Sequence, residues 1–351
     1  MHREVLEVKV LYLKESSTMH SPSFEHPEKP WRATMVYKTT LSTQASIREV
    51  SVQSVSMSEA LRVAKEIHAR GYVDYLLRLS QSAPALVDED TFVEKDSLEL
   101  ALAALFYSYR TSREAKTHPV FIILRPPGHH AGKGGKAMGA PTQGFCLLNN
   151  AAAAVKGFMD EGFKKVATLD FDVHHGNGTM EIFYRDRILQ VDFHQDPDTL
   201  YPHTGYPFQM GEGEGYGYKA NIVLPPRSGD DLFVKVLDLA MNVIKSYNPD
   251  SLVVSAGFDA FQGDGLADLE LTEASYYALG KNIRELRVPT IIVLEGGYGV
   301  GLERGVRAFL EGLIGVEKHY PPQTRSPPAL YRKALETAER VLAKVAEKSK
   351  A

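Results

Sequence analysis

Leu169-Asp170-Phe171-Asp172-Val173-His174-His175-Gly176-Asn177-Gly178-Thr179 reads as a hydrophobic strand that ends in acids and imidazoles and then turns on glycines. Side chains alternate along a strand, so Asp170, Asp172 and His174 are expected to point the same way. Two carboxylates and an imidazole converging at a strand's mouth are costly to bury without a cation. The stretch therefore predicts a metal site, and a metal site at the carboxyl end of a strand predicts an enzyme.

Outward from this stretch, short apolar runs alternate with helical patterns. Strands are predicted over 8–13, 120–124, 165–171, 188–193, 220–224, 251–255 and 290–294. Helices are predicted over 58–70, 73–79, 97–113, 150–160, 179–184, 231–246, 272–286 and 302–313. That alternation indicates an α/β fold with a parallel sheet covered on both faces. No Pro/Gly/Ser-rich linker interrupts it, so 1–325 is read as one catalytic domain. A Pro-Pro stop and a Lys-rich amphipathic helix follow over 326–351, a tail expected to pack on the domain or at a subunit contact.

Polar clusters fall where predicted strands finish: Arg125 to His130, Asp170 to His175, Ser255 to Asp259 and Glu295 to Gly299. Ligands of open α/β sheets bind beyond the carboxyl ends of strands, so the four clusters can meet in one crevice.

Composition narrows the classes. With 351 residues, 44% hydrophobic and 24% charged, the chain has the make-up of a globular protein. A net charge of −4 without a basic run argues against direct nucleic-acid binding. The single cysteine, Cys146, excludes an internal disulfide and fits a reducing compartment. Its apolar setting reads as a buried structural thiol. Neither a signal peptide's apolar core nor a bilayer-length apolar run is found, so a cytoplasmic protein with no membrane association is expected.

Asp172, His174 and Asp259 make a three-ligand metal site with an open position, a set that suits zinc, ferrous iron or cobalt. Asp259 taken alone reads as an ordinary hydrogen-bonded acid. Asp170 fits a carboxylate that orients a histidine. His129 and His130, adjacent in a Gly-His-His turn, suit proton transfer near neutrality. Tyr298, after two glycines, can be aimed into a crevice to hold a developing oxyanion. Phe145 and Tyr201 read either as core or as walls of an apolar passage. His2, His68 and His319 read as incidental.

Taken in order, RPPGHHA at 125–131, GFCLLNN at 144–150, LDFDVHHGNGT at 169–179, SAGFDA at 255–260 and LEGGYG at 294–299 resemble the histone deacetylase superfamily. HPEKPWR at 26–32 and DTFVEKDS at 90–97 resemble its early loops. The forms are nearer the class II and prokaryotic branches, which include acetylpolyamine amidohydrolases. The resemblance implies the arginase/deacetylase fold, a mainly parallel eight-stranded sheet between helical layers.

It further implies one zinc per chain on Asp172, His174 and Asp259, catalytic His129 and His130, and an oxyanion-stabilising Tyr298. Asp170 matches the partner of the first histidine. Asn177 stands where some members have Asp behind the second, which should leave His130 easier to deprotonate. Gly144, Phe145, Tyr201 and Gly297 match a substrate tunnel, and Arg32 matches a residue of an acetate-release cavity. A potassium ion is implied beside the zinc on Asp170, Asp172, His174 and Asp192, the last replacing the usual Ser. Segment 131–143 is longer than in most eukaryotic members, and its glycines suggest mobility near the tunnel mouth.

The implied activity is hydrolytic removal of an acyl group from an acetylated lysine side chain, an acetylated polyamine or another small N-acyl amine. A homo-oligomer is compatible. Two rival readings fit the residues less well. An arginase-type dimanganese site lacks its second set of aspartates, because the stretches read His174-His175-Gly176 and Phe258-Asp259-Ala260-Phe261. A non-catalytic acyl-lysine-binding protein is disfavoured by the intact histidines, Tyr298 and metal ligands.

Overall fold

A computed structural model describes residues 7–116 and 118–349; His2 lies outside them. In chain order the elements are β1 (Lys9–Leu13), α1 (Trp31–Leu41), β2 (Ser46–Val50), α2 (Met57–Ile67), α3 (Arg70–Gln81), β3 (Ala85–Leu86), β4 (Phe92–Val93) and α4 (Ser97–Arg110). Then come β5 (Val120–Ile123), α5 (Asn150–Asp160), β6 (Val166–Asp170), α6 (Asn177–Ile182), β7 (Leu189–Gln195) and β8 (Lys219–Leu224). The chain continues through α7 (Asp230–Tyr247), β9 (Ser251–Ala256), α8 (Glu273–Leu286), β10 (Thr290–Leu294), α9 (Gly301–Ile314) and α10 (Pro328–Ser349).

Eight strands form one sheet in the order β2-β1-β5-β10-β9-β6-β7-β8. Every pairing in it is parallel. β5, β6, β9 and β10 are buried throughout, as near-continuous apolar runs in a two-faced parallel sheet should be. Side chains of α1, α7, α8, α9 and α10 join the core on one face, and those of α2, α3, α4 and α5 the core on the other. Ala334, Ala338, Val341, Leu342 and Val345 of α10 are buried in the first of these cores.

β2 was not read from the sequence. Its Ser-Ile-Arg-Glu-Val is an edge strand with no fully buried residue, so the apolar run that marks its neighbours is absent. Missed too was α1, whose buried face is built from Arg32, Ala33, Val36, Thr39 and Thr40. An arginine and two threonines on the inner side blur the periodicity that marks a core-facing helix.

The sheet order positions the site. β5, β10, β9 and β6 are consecutive neighbours, although 171 residues of sequence number separate Val120 from Ile291, which pair in register. The four polar clusters that follow these strands therefore stand side by side at one end of the sheet.

Candidate active site

The opening stretch does not continue as a pleated strand. β6 stops at Asp170, after which the Asp172 N–H donates to Asp170 Oδ1 (3.1 Å) and the His174 N–H donates to Asp172 Oδ1 (2.9 Å). Each carboxylate thus bonds the backbone two residues on and curls the chain. These Asx turns, rather than pleat alternation, aim Asp172 and His174 together. His175 points elsewhere: its Nδ1 meets Thr204 Oγ1 at 2.8 Å and its ring packs on His194.

Asp172, His174 and Asp259 each present a ligand atom, all within 4.8 Å of one another. His174 Nδ1 is 3.0 Å from Asp172 Oδ1 and 3.3 Å from Asp259 Oδ2. Of the remaining oxygens, Asp172 Oδ2 accepts from Gly296 N (2.7 Å) and Asp259 Oδ1 from Val173 N (2.9 Å). Both acids are buried, which by itself penalises their charged forms. Although burial opposes it, hydrogen bonds from His174 to Asp172 and Asp259 push the imidazole up to about 10. Such a pocket attracts positive charge. A Cβ at Gly296 would strike both carboxylates, so only glycine leaves this cradle open. Three anionic or imidazole donors around an open space fit a divalent cation with a free coordination position.

Beside them stand the tandem histidines, with ring centroids 4.0 Å apart. His129 Nδ1 lies 3.0 Å from Asp170 Oδ2, and its Nε2 is 3.8 Å from Asp172 Oδ1. Burial disfavours its charge, but Asp170, Asp172 and Glu295 outweigh that and hold it well above its ordinary value. His130 Nδ1 faces Asn177 Oδ1 at 2.7 Å. Burial, reinforced by His129 and His174, drives it well below its ordinary value.

Asp192 lies opposite Asp170 on neighbouring strands. Its carboxylate contacts His194 Nδ1 (2.7 Å) and accepts from Gly176 N (3.0 Å). Burial and the facing Asp192 oppose the charge on Asp170, and the bonded imidazole of His129 favours it.

Tyr298 is presented by a turn in which Gly297 takes φ of +117°, in the left-handed half of the map. The Arg32 guanidinium lies over its ring at 4.4 Å. Arg32 is fully buried behind Tyr298 and donates to the carbonyls of Gly297 (2.6 Å) and Glu295. Burial keeps the Tyr298 phenol well above its ordinary value, despite Arg32, so it remains a hydrogen-bond donor.

These groups open into a cavity of about 270 Å³, lined by His129, His130, Asp172, His174 and Tyr298 together with Gly144, Phe145 and Tyr201. Phe145 stands edge-on to Tyr298, with centroids 5.8 Å apart, and Tyr201 edge-on to His130 at 5.0 Å. The lining glycine from the 294–299 motif is Gly296, not Gly297. Asp259, Asp170, Asn177, Asp192 and Arg32 sit behind the lining rather than on it.

Several residues escaped the sequence reading. Asp90, Pro127, Leu200 and Leu266 also line the cavity. Asp90 opens the DTFVEKDS match, so its position was visible but its role was not. Glu295 Oε2 accepts from the backbone N–H groups of Gly128 (2.7 Å) and His129 (3.2 Å) and so fixes the histidine turn. Asp264 Oδ2 accepts from Tyr298 N at 2.9 Å, and the acid is raised to about 7 by burial and Asp259. His68 is not incidental: it is buried, its Nδ1 meets Gly132 O at 2.7 Å and its Nε2 accepts from Asn149 N at 3.0 Å. Cys146 is fully buried, and burial pushes its thiol well up, which fits the structural reading.

Two buried carboxylates with an imidazole, paired histidines and a phenol around a cavity at the carboxyl end of a parallel sheet mark a hydrolase of the arginase/deacetylase fold. The chain belongs to the histone deacetylase family, whose Histone deacetylase domain it matches over residues 26–313. It is 35% identical over 320 residues to a probable deacetylase of Methanothermobacter thermautotrophicus, covering 88% of this chain and 93% of that one. To acetylpolyamine amidohydrolase 1 of Pseudomonas aeruginosa it is 43% identical over 206 residues, 58% of this chain and 56% of the other. Among solved structures, the HDA15 HD domain superposes with a TM-score of 0.81 at 28% identity, covering 97% of this chain and 95% of that one. The protein is a deacetylase-type hydrolase acting on amides. No helix among the described residues is long and apolar enough to cross a membrane.

Proposed function

We propose that the chain removes the acetyl group from an N-acetylated amine that carries a positive charge at its far end, of the acetylpolyamine type. The observation that carries the hydrolytic reading is the convergence of Asp172, His174 and Asp259 beside His129 and His130. A single zinc ion is the cation we assign to the three donors, and it would supply Lewis acidity that polarises the amide carbonyl and acidifies water.

The protein's own groups divide the remaining work. His130 stays neutral, with Nδ1 turned to Asn177, so Nε2 is the nitrogen available to take a proton from the attacking water. The same nitrogen then returns that proton to the leaving amine. His129, kept cationic by Asp170, offsets negative charge that builds on the carbonyl oxygen. Tyr298 donates its hydroxyl proton to that oxygen in a hydrogen bond. Phe145 and Tyr201 flank the aliphatic stem and exclude water, and Arg32 belongs to an inner pocket for the acetate product. A potassium ion among Asp170, Asp172, His174 and Asp192 would offset the surplus of buried carboxylates, with His194 sharing Asp192.

Asp90 favours a cationic substrate, because this acid lines the cavity, its carboxylate accepting from the Thr91 and Thr142 hydroxyls, in a turn that also holds Asp88 and Glu89. Curated acetylpolyamine amidohydrolases among the relatives point the same way. Acetyl-lysine in a peptide is the second reading, since it offers the same amide on a similar stem. Kinetics on N-acetylputrescine, an acetyl-lysine peptide and the neutral N-butylacetamide decide the matter. A cationic end is expected to raise kcat/KM over the neutral amide about 10-fold, the worth of one charge pair near a surface. D90N should erase that ratio. Equal rates on the cationic and neutral amides would overturn the charge requirement.

A further inference from the structure

Segment 131–143 is held at many points along its length. The backbone N–H groups of Lys133 and Met138 both donate to Glu181, at 3.0 and 2.9 Å. His68 holds the Gly132 carbonyl, Asn149 Nδ2 holds that of Ala131 (3.1 Å), and the Tyr201 hydroxyl donates to Thr142 O at 3.0 Å. Glu181 offers both carboxylate oxygens to a loop whose glycines let it wrap close, which gives the segment a defined hydrogen-bonded shape.

One bond of this segment reaches the chemistry. The Ala137 carbonyl closes a turn with Ala140 N (3.0 Å) and also accepts from Asn177 Nδ2 at 3.0 Å. On its other side, Asn177 presents Oδ1 to His130 Nδ1 at 2.7 Å. A carbonyl can only accept, so Ala137 fixes which end of the amide faces it. The amide oxygen must then face His130, and an oxygen that only accepts requires the proton on Nδ1.

We propose that segment 131–143 is a positioning device: the Ala137 carbonyl locks the Asn177 amide, and that amide locks His130 in the tautomer whose Nε2 lone pair faces the cavity. Residue 177 must therefore donate as well as accept in this chain. An aspartate there would set a carboxylate oxygen against the Ala137 carbonyl with no hydrogen between them. The segment explains why Asn, rather than the Asp of some family members, stands behind His130. This inference rests on His130 as the proton acceptor of the proposed reaction.

Two measurements on the metal-loaded enzyme test it. Nitrogen-15 spectra of histidine-labelled protein report the tautomer without turnover, so they stand even if no amide proves to be a substrate. Wild type is expected to show His130 protonated on Nδ1, and E181Q, which frees one anchor of the segment, to show a mixture. In steady-state kinetics N177D is expected to lower kcat about 10-fold or more, a loss on the scale of a misaligned proton acceptor, with KM within about 2-fold. N177D in the E181Q background should lose less than the product of the single losses, because a loosened Ala137 carbonyl can move from the carboxylate. Finding His130 protonated on Nε2 in wild type would overturn the proposal. So would N177D with unchanged kcat, or strictly multiplicative losses.

Discussion

His129 and His130 are chain neighbours, equally buried, with rings 4.0 Å apart, yet their charges go opposite ways. His129 leans on a carboxylate, Asp170, and is held well above its ordinary value. His130 leans on an amide, Asn177, and is driven well below it. Desolvation opposes the charged form of both, so burial does not set the difference. The charges around each ring do: Asp170, Asp172 and Glu295 outweigh burial at His129, whereas His129 and His174 add to it at His130. One dipeptide thereby sets an imidazole that favours its proton beside one that resists it.

The contrast can be broken most severely at Asp170. D170N keeps the shape but removes the charge behind His129, and leaves an amide behind each ring. It is expected to cost about 10² to 10⁴ in kcat, the range for removing charge-bearing support from an acid–base pair, with little change in KM. Steady-state kinetics on the best acetylated amine check this. A loss no larger than that of N177A would make the two histidines equivalent and end the comparison.

A smaller effect comes from a third buried imidazole. His68 is as enclosed as the tandem pair but has no carboxylate, and burial lowers it to about 4 from an ordinary 6.5. Its Nε2 accepts from Asn149 N, so a proton there would end that bond. The unfolded chain binds this proton below about pH 6.5, whereas the folded chain resists it until about pH 4. Stability contributed by neutral His68 is therefore complete above pH 6.5 and is lost as pH falls through that window. The full span corresponds to roughly 3 kcal/mol. Thermal melts from pH 7 to pH 4 are expected to slope downward, and H68N to slope less. Parallel slopes for the two proteins would mean that His68 does not resist protonation.

Much of this was legible before any coordinates. Asp172, His174 and Asp259 were named from a strand ending in acids and from ordered motifs, and the structure brings them within 4.8 Å. Seven of the eight sheet strands left apolar runs; β2 did not, since an edge strand need bury neither face. The reason Asp172 and His174 converge was misread, because alternation along a strand looks in sequence like a pair of Asx turns. Glu295, Asp264, Glu181 and His68 were out of reach for a different reason. Each acts on backbone N–H or C=O groups distant in sequence, and such partners leave no trace in the identity of the residues they hold. Asn177 was singled out for its neutral side chain, but the carbonyl on its far side was visible only in three dimensions.

In the proposed reaction, amide hydrolysis depends on a cation held by Asp172, His174 and Asp259. The most direct measurement follows acetate release from N-acetylputrescine and an acetyl-lysine amide before chelation, after exhaustive metal removal, and after one equivalent of zinc per chain is restored, with Y298F run alongside. Hydrolysis is predicted to vanish with the metal, to return on stoichiometric addition, and to be nearly lost in Y298F at every stage. Full activity in the metal-stripped protein, or in Y298F, would contradict the account.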